Sequence, residues 1–252
     1  MGEKKILNGT AKIVFLRLEI KTDMKKLSII GLVVFLAVAL CSCKDESGEF
    51  VEQLYTNAQK EAAIRDCLKA SADTATAHLF VTDGFYGKAA YRIDFSPVLF
   101  SLFDTLDNHG YSALCDSLIL QTNRMAESCG SPVKSVLKSA IDSLSITGYD
   151  ALLGGGDDAV TRYFELYKYR SLRSALLSPI SIRMGLSNVN ATWNEMVQKY
   201  MQYSSVPLNF DIQNYIVEKV LDAVLAEMKA EEYLIRTDPD HRIASMDLFE
   251  DY

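Results

Sequence analysis

The stretch that decides the fold is Asp211–Arg236, DIQNYIVEKVLDAVLAEMKAEEYLIR. Its apolar residues Ile212, Ile216, Val220, Val224 and Met228 recur every four positions, which puts them on one side of a helix and not on the alternating faces of a strand. Pro207 separates this run from what precedes it, and Asp238-Pro239 ends it, because proline cannot continue a helical hydrogen-bond ladder. It reads as the longest helix of the chain.

The same period recurs outward in both directions. Upstream, Thr192 and Glu195 form a capping box ahead of Trp193, Met196, Val197, Tyr200 and Met201. Asp157 or Asp158 caps a helix carrying Val160, Tyr163, Phe164 and Tyr167, and helical pattern resumes to about Arg183. Asp150 to Leu153 predicts a short helical turn. Ser131-Pro132 opens a helix with the stripe Val133, Val136, Leu137, Ala140, Ile141 and Leu144. Tyr111 to Ser128 reads as one long helix, and Pro97 opens another to about Asn108. Thr82 to Ser96 breaks the pattern. Asp83-Gly84 and Gly87 are turn residues, and Tyr91–Phe95 alternates like a short extended piece, so a long ordered loop is expected there. The first stripe, Val51, Leu54, Tyr55 and Ala58, runs past Cys67 to about Ala77. Downstream, Ile243 to Phe249 is a short amphipathic segment. These readings predict an all-α, single-domain multi-helix bundle of about eight helices over residues 49–252.

The bundle stands behind a leader. Met24–Cys43 reads MKKLSIIGLVVFLAVALCSC. Two lysines precede an uncharged apolar run, Leu27–Leu40, that is the size of a signal-peptide core and short for a transmembrane helix. Leu40-Cys41-Ser42-Cys43 has the form of a lipobox. With Cys41 as acceptor the preceding residue is Leu40, too large for the peptidase; with Cys43 it is Ser42, which fits. Cys43 is therefore the expected lipidation site, residues 24–42 the lipoprotein signal peptide, and 43–48 the acylated cysteine and its polar tether. Residues 1–23 are expected to be a mis-annotated upstream extension, since Met24-Lys25-Lys26 looks like a natural start. An acylated amino terminus carries more than one chain and anchors stably to a membrane. Lys44 follows the acylated cysteine where an inner-membrane retention signal would have Asp, which points to the outer membrane. Lys44-Asp45-Glu46 also looks like an export tag to the cell surface, so either face of that membrane stays open.

The chain carries 26 Lys+Arg and 33 Asp+Glu, a formal net charge of −7. Removing the first 42 residues takes away seven cationic and three acidic side chains, leaving 19 against 30 and a net charge of −11. That balance argues against nucleic acid as a partner. Beyond Cys43 there are three cysteines, Cys67, Cys115 and Cys129, an odd number and a poor disulfide framework. Cys115 and Cys129, read as sharing one helix, would stand about 21 Å apart, too far to bridge. All three are expected as small buried hydrophobes. His78, His109 and His241 have no ligand spacing. No metal site, cofactor or catalytic residue is expected from these patterns.

Four groups of residues are candidates for function. Gly154-Gly155-Gly156-Asp157-Asp158 could hold an ion with backbone amides and two carboxylates, but one acidic pair is thin for calcium and repels phosphate. The favoured reading is a helix start, with Thr161 permitting close packing. Asp83-Gly84-Phe85-Tyr86-Gly87 could be an aromatic binding lip or a plug for the end of the bundle. Arg124 and Glu127 share a helix face, and Glu231, Glu232, Arg236 and Arg242 cluster near the tail. Buried, they would form a polar network or an acid/base site; exposed, they would mean little. Tyr163, Tyr167 and Tyr169 with Lys168, Arg170 and Arg173 read either as an aromatic-basic patch or as core-edge tyrosines whose hydroxyls reach water.

From about Leu79 onward the chain resembles a bacterial family catalogued only as domain of unknown function 4197. The resemblance lies in Asp83-Gly84-Phe85, Arg92-Ile93, Asn123-Arg124-Met125-Ala126-Glu127, Asp150-Ala151-Leu152, Gly155-Gly156-Asp157-Asp158-Ala159-Val160-Thr161 with Tyr163-Phe164, and Glu231-Glu232, Ile235-Arg236, Asp238-Pro239 and Arg242. The family pattern has Asn at Gly154 and Ala at Val160. The resemblance implies an exported helical protein and supplies no catalytic residues. Function is accordingly expected to be that of a lipid-anchored envelope protein acting as a non-catalytic interaction or scaffold module. The alternatives are a carrier of a small apolar ligand between helices and, third, an envelope enzyme using the Arg/Glu/Asp cluster. The partners expected are the membrane, through the lipid, and an envelope protein or an apolar ligand.

Overall fold

The structure, a computed structural model, describes residues 55–252. The leader, Cys43 and the tether lie outside the described residues, as do Val51 and Leu54. The described residues form eight α-helices: α1 Asn57–Leu79, α2 Phe100–Asn108, α3 Ser112–Glu127, α4 Gly130–Asp142, α5 Tyr149–Leu153, α6 Ala159–Leu186, α7 Val189–Tyr203 and α8 Ile212–Thr237. Two 3₁₀ turns, Pro239–His241 and Ala244–Glu250, close the chain.

Helix α8 is the central element. All five residues of its stripe are buried, and so are Val217, Leu221, Ala223, Leu225, Glu231, Glu232 and Ile235. Burial on that many sides means a helix surrounded by neighbours rather than lying on a surface. Helices α1 and α6 flank it, α4 packs on α1 and α6, α3 packs on α7, and α2 joins α3 and α7. The tail, Ala244–Glu250, lies back on α1 and buries Met246, Leu248 and Phe249. Helix α1 buries Ala63, Cys67, Ser71, Ala72 and Ala75 among its core positions. Small residues there let the α1 and α8 backbones approach closely. Each larger side chain buried in this core contributes about 1.5–3 kcal/mol.

Several boundaries differ from the sequence reading. The longest helix is α6, 28 residues against 26 for α8, because the pattern runs unbroken through Pro179. Helix α2 starts at Phe100, since the amides of Val98 and Leu99 both turn back to the Phe95 carbonyl first. Helix α4 starts at Gly130, so Pro132 is its third residue. Cys115 lies within α3 and Cys129 just before α4, on different helices; they remain free, as does Cys67, and all three are buried. Thr192 and Glu195 do not cap α7. The helix begins three residues earlier, after Asn188, and the Thr192 hydroxyl donates to Gln121 Oε1 at 2.7 Å. A capping box does form at α1, between Thr56 and Gln59. Ala58, Tyr167 and Met201 are exposed, so the stripes of α1, α6 and α7 are narrower than read.

The 80–99 segment is the ordered loop expected, with no strand among the described residues. Its extended piece pairs with a side chain instead. The Ile93 amide donates to Asn123 Oδ1 at 2.8 Å, and Asn123 Nδ2 donates to the Ile93 carbonyl at 2.9 Å. A buried asparagine on α3 thereby supplies the two hydrogen bonds that a neighbouring strand would have made.

Candidate functional site

The residues singled out in the sequence converge, but on the chain's own backbone. In the first cluster, Asp83 takes a left-handed conformation, φ 67°, which Asp tolerates better than most residues. The turn then presses Gly84 against the end of α1. A Cβ on Gly84 would stand 2.1 Å from the Leu79 carbonyl oxygen, so the position accepts only glycine as built. The loop then offers two successive amides inward. Glu127 Oε1 accepts both, from Phe85 at 3.2 Å and Tyr86 at 3.0 Å. Arg124 bridges the arrangement, donating to Glu127 Oε2 and to Asp83 Oδ1 at 2.8 Å each. Phe85 is thereby held in the core, where it is fully buried. Tyr86 stays partly exposed beneath the guanidinium of Arg92.

The second cluster repeats the device. Asp158 precedes α6 but makes no side-chain cap; its carboxylate accepts from Arg162 instead. The expected capping by Asp157 or Asp158 is supplied from another helix. Glu232, fully buried on α8, accepts from the Val160 amide at 2.9 Å and the Thr161 amide at 2.7 Å. Arg236, one turn on, pairs with Glu232 at 2.7 Å and donates to the carbonyls of Leu152 and Leu153, the last residues of α5. Arg242 closes the end of α8 by donating to the Ile235 and Arg236 carbonyls. A carboxylate thus meets a helix amino terminus and guanidinium groups meet two carboxyl termini, each matching the local helix dipole. Gly154, Gly155 and Gly156 make the α5–α6 connection. Thr161 is buried, and its Oγ1 finds no partner. Arg65 does the same service at α4, donating to the carbonyls of Ile141 and Leu144.

Both clusters are therefore built alike: one buried glutamate, two consecutive amides, one arginine a turn away. Sequence reasoning grouped Arg124 with Glu127 and Glu232 with Arg236, but it missed which backbone each served. One signal was present. The α8 stripe Val220, Val224, Met228 lands next on Glu232, and a glutamate on a core stripe needs a buried partner. Among the described residues no three His, Cys, Asp or Glu side chains are placed to hold a metal ion, and no helix is long and apolar enough to cross a membrane. Two tyrosines of α6 serve the core edge, Tyr163 donating to the Ser145 carbonyl and Tyr169 to Asp222, while Tyr167 is exposed.

What the pinned loop creates is a cleft of about 450 Å³ against α8. Tyr91, Arg92 and Asp94 line it from the loop; Tyr215, Lys219 and Asp222 line it from the helix. Tyr215 donates to the Asp94 carbonyl at 2.6 Å. Behind Tyr91, Glu227 accepts from His78 at 2.9 Å and from Lys88 at 3.4 Å. Burial pushes the Tyr91 hydroxyl up to about 12, with the Glu227 carboxylate adding to the effect. Burial alone would raise Glu227, but His78, Tyr91 and Lys88 outweigh it and hold the carboxyl below its ordinary value. Arg92 donates through Nε to the Tyr86 carbonyl and lies 4.7 Å from that ring's centre. Sequence reading named Arg92 only as part of the family resemblance and did not single out Lys219, because an exposed cation on a helix face has no local signature.

A family model described as protein of unknown function (DUF4197) matches residues 54–247. The match takes in α1, which lies upstream of the resemblance read from Leu79. No curated protein and no solved structure matches the chain.

Proposed function

The chain belongs to the DUF4197 family of proteins of unknown function, and from that premise we propose that it is a lipid-anchored envelope protein whose helical domain is a non-catalytic interaction module. The anchor is the lipid on Cys43, and Lys44 directs the protein to the outer membrane. The interaction surface is the cleft between the 82–96 loop and α8.

One observation carries this reading. The polar residues of the family resemblance hold main-chain groups: Glu127 and Asn123 fix the loop, while Glu232, Arg236 and Arg242 fix helix ends. Burying charges and amides is costly unless every group is paired. Such an arrangement around an irregular loop gives that loop one shape, and a rigidly held loop is a recurrent place for recognition.

The test has two arms in the native host. An alkyne fatty acid should label the wild-type chain, and Cys43→Ser should lose both the label and the membrane fraction. A photo-crosslinking residue at position 98 or 226, both on the cleft wall, should give a discrete adduct that the same residue at position 138 does not. Equal labelling of Cys43→Ser would remove the anchor. Identical adduct patterns at 98, 226 and 138 would remove the cleft as the interaction surface.

A further inference from the structure

Resting on that interaction reading, we infer that the cleft takes an extended polypeptide segment bearing a carboxylate side chain, added alongside Arg92–Asp94 and held by Arg92 and Lys219. The first argument is the backbone. The amide and carbonyl of Ile93 both reach Asn123, so they point to the same side, as in a strand. In a strand the neighbouring residues present their groups to the opposite edge. That edge faces the cleft, because the hydroxyl of Tyr215, a cleft residue, binds the Asp94 carbonyl. Among the described residues, the Arg92 carbonyl and the Asp94 amide have no hydrogen-bond partner. They are the pair that one residue of an added parallel strand satisfies, donating its amide to Arg92 and accepting from Asp94.

The second argument is charge. Among the described residues Arg92 and Lys219 form no salt bridge. They stand on opposite walls of the cleft, one on the loop and one on α8. The acids beside them are engaged: Asp94 Oδ1 accepts from the Ser96 amide and hydroxyl, and Asp222 Oδ1 accepts from Tyr169. Those bonds come from neutral donors and leave both carboxylates charged; what stays unfilled is donor capacity, since among the described residues the Lys219 ammonium and the terminal nitrogens of Arg92 have no acceptor. The third argument is length. Tyr215 to Ala226 spans about 16 Å of helix, which about five extended residues cover.

The experiment uses the full acylated chain immobilised in detergent micelles. Three pools of blocked pentapeptides are passed over it, randomised except for a central Glu, Gln or Lys, and retention is read by mass spectrometry. The Glu pool should be retained about tenfold over the Gln pool, the worth of one charge-assisted hydrogen bond. Lys219→Glu, which removes no hydrogen bond, should abolish that preference and favour the Lys pool. Arg92→Gln should reduce it, and N-methylation of the central amide should lower retention. Equal retention of the three pools, or an unchanged Glu preference in Lys219→Glu, overturns the inference. So does displacement by free glutarate at equal concentration, which would make the occupant a small anion. If crosslinks form at positions 98 and 226 while the Glu pool shows no preference, the inference fails and the interaction reading stands. If neither appears, both fail.

Discussion

Replacing Glu232 should cost more stability than replacing any other acidic residue of the described domain. Its side chain is fully buried, and that of Arg236 is 9% exposed. Glu232→Ala strands a guanidinium away from water and leaves the Val160 and Thr161 amides without acceptors. Removing one member of a buried ion pair costs about 3–5 kcal/mol, against a total of about 5–15 kcal/mol for a domain of this kind. Glu232→Gln keeps one carbonyl oxygen for one amide, and Arg236 retains the Leu152 and Leu153 carbonyls, so about 2 kcal/mol is expected. The parallel change Glu127→Gln should cost about 1 kcal/mol. Arg124 is 39% exposed, so it keeps its hydration and its bond to Asp83. Urea unfolding followed by far-ultraviolet circular dichroism reads all three, provided the slope against urea is unchanged. A Glu232→Ala cost below about 1 kcal/mol would refute the reasoning, since a buried pair cannot be broken so cheaply. Equal costs for Glu127→Gln and Glu232→Gln would refute the part assigned to burial.

Further consequences follow from the same geometry. Gly84→Ala should destabilise by about 2 kcal/mol or more through its clash with the Leu79 carbonyl, whereas Gly156→Ala, with open space around it, should stay within about 0.5 kcal/mol; paired melting curves decide this. Asn123→Ala strands the Ile93 amide and carbonyl, at about 2–4 kcal/mol, and should speed hydrogen exchange selectively in residues 84–96. Burial pushes the Cys115 and Cys129 thiols up to about 11 and Cys67 higher still. In the unfolded chain these thiols ionise near 8.5, so their contribution is complete below that pH and is lost as pH rises from about 8.5 towards 11. Stability measured from pH 7 to about 9.5, before tyrosines ionise in the unfolded chain, should fall, and should fall less in a triple Cys→Ala variant; a thiol reagent should label none of the three in the folded protein.

The helices were legible because burial of one face imposes a period that the residues cannot hide. All five stripe positions read in α8 are buried, and the loop at 82–96 stood out by losing the period. Caps were less legible. Asp157, Asp158 and Thr192 have the chemistry of helix caps, yet α6 takes its cap from Glu232, 71 residues away from Thr161, and α7 begins ahead of Thr192. A local rule sees only local acceptors, and a buried carboxylate from a neighbouring helix outcompetes them. The same limit applies to Asn123, which replaces a strand at a separation of 30 residues. Residues of the two clusters were visible in the sequence, while the backbone groups they meet lay beyond any local pattern. The cleft was invisible for a further reason: it is a space between elements, and its cations form no salt bridge that a local charge pattern would reveal.

The account turns on motif carboxylates acting on the chain's own amides rather than on a substrate. Native-state hydrogen exchange by nuclear magnetic resonance at Phe85, Tyr86, Val160 and Thr161 tests this most directly. Slow exchange is predicted at all four, with Glu127→Ala releasing Phe85 and Tyr86 and Glu232→Ala releasing Val160 and Thr161. Exchange at these amides as fast as in the exposed tail, or protection indifferent to either substitution, would contradict it.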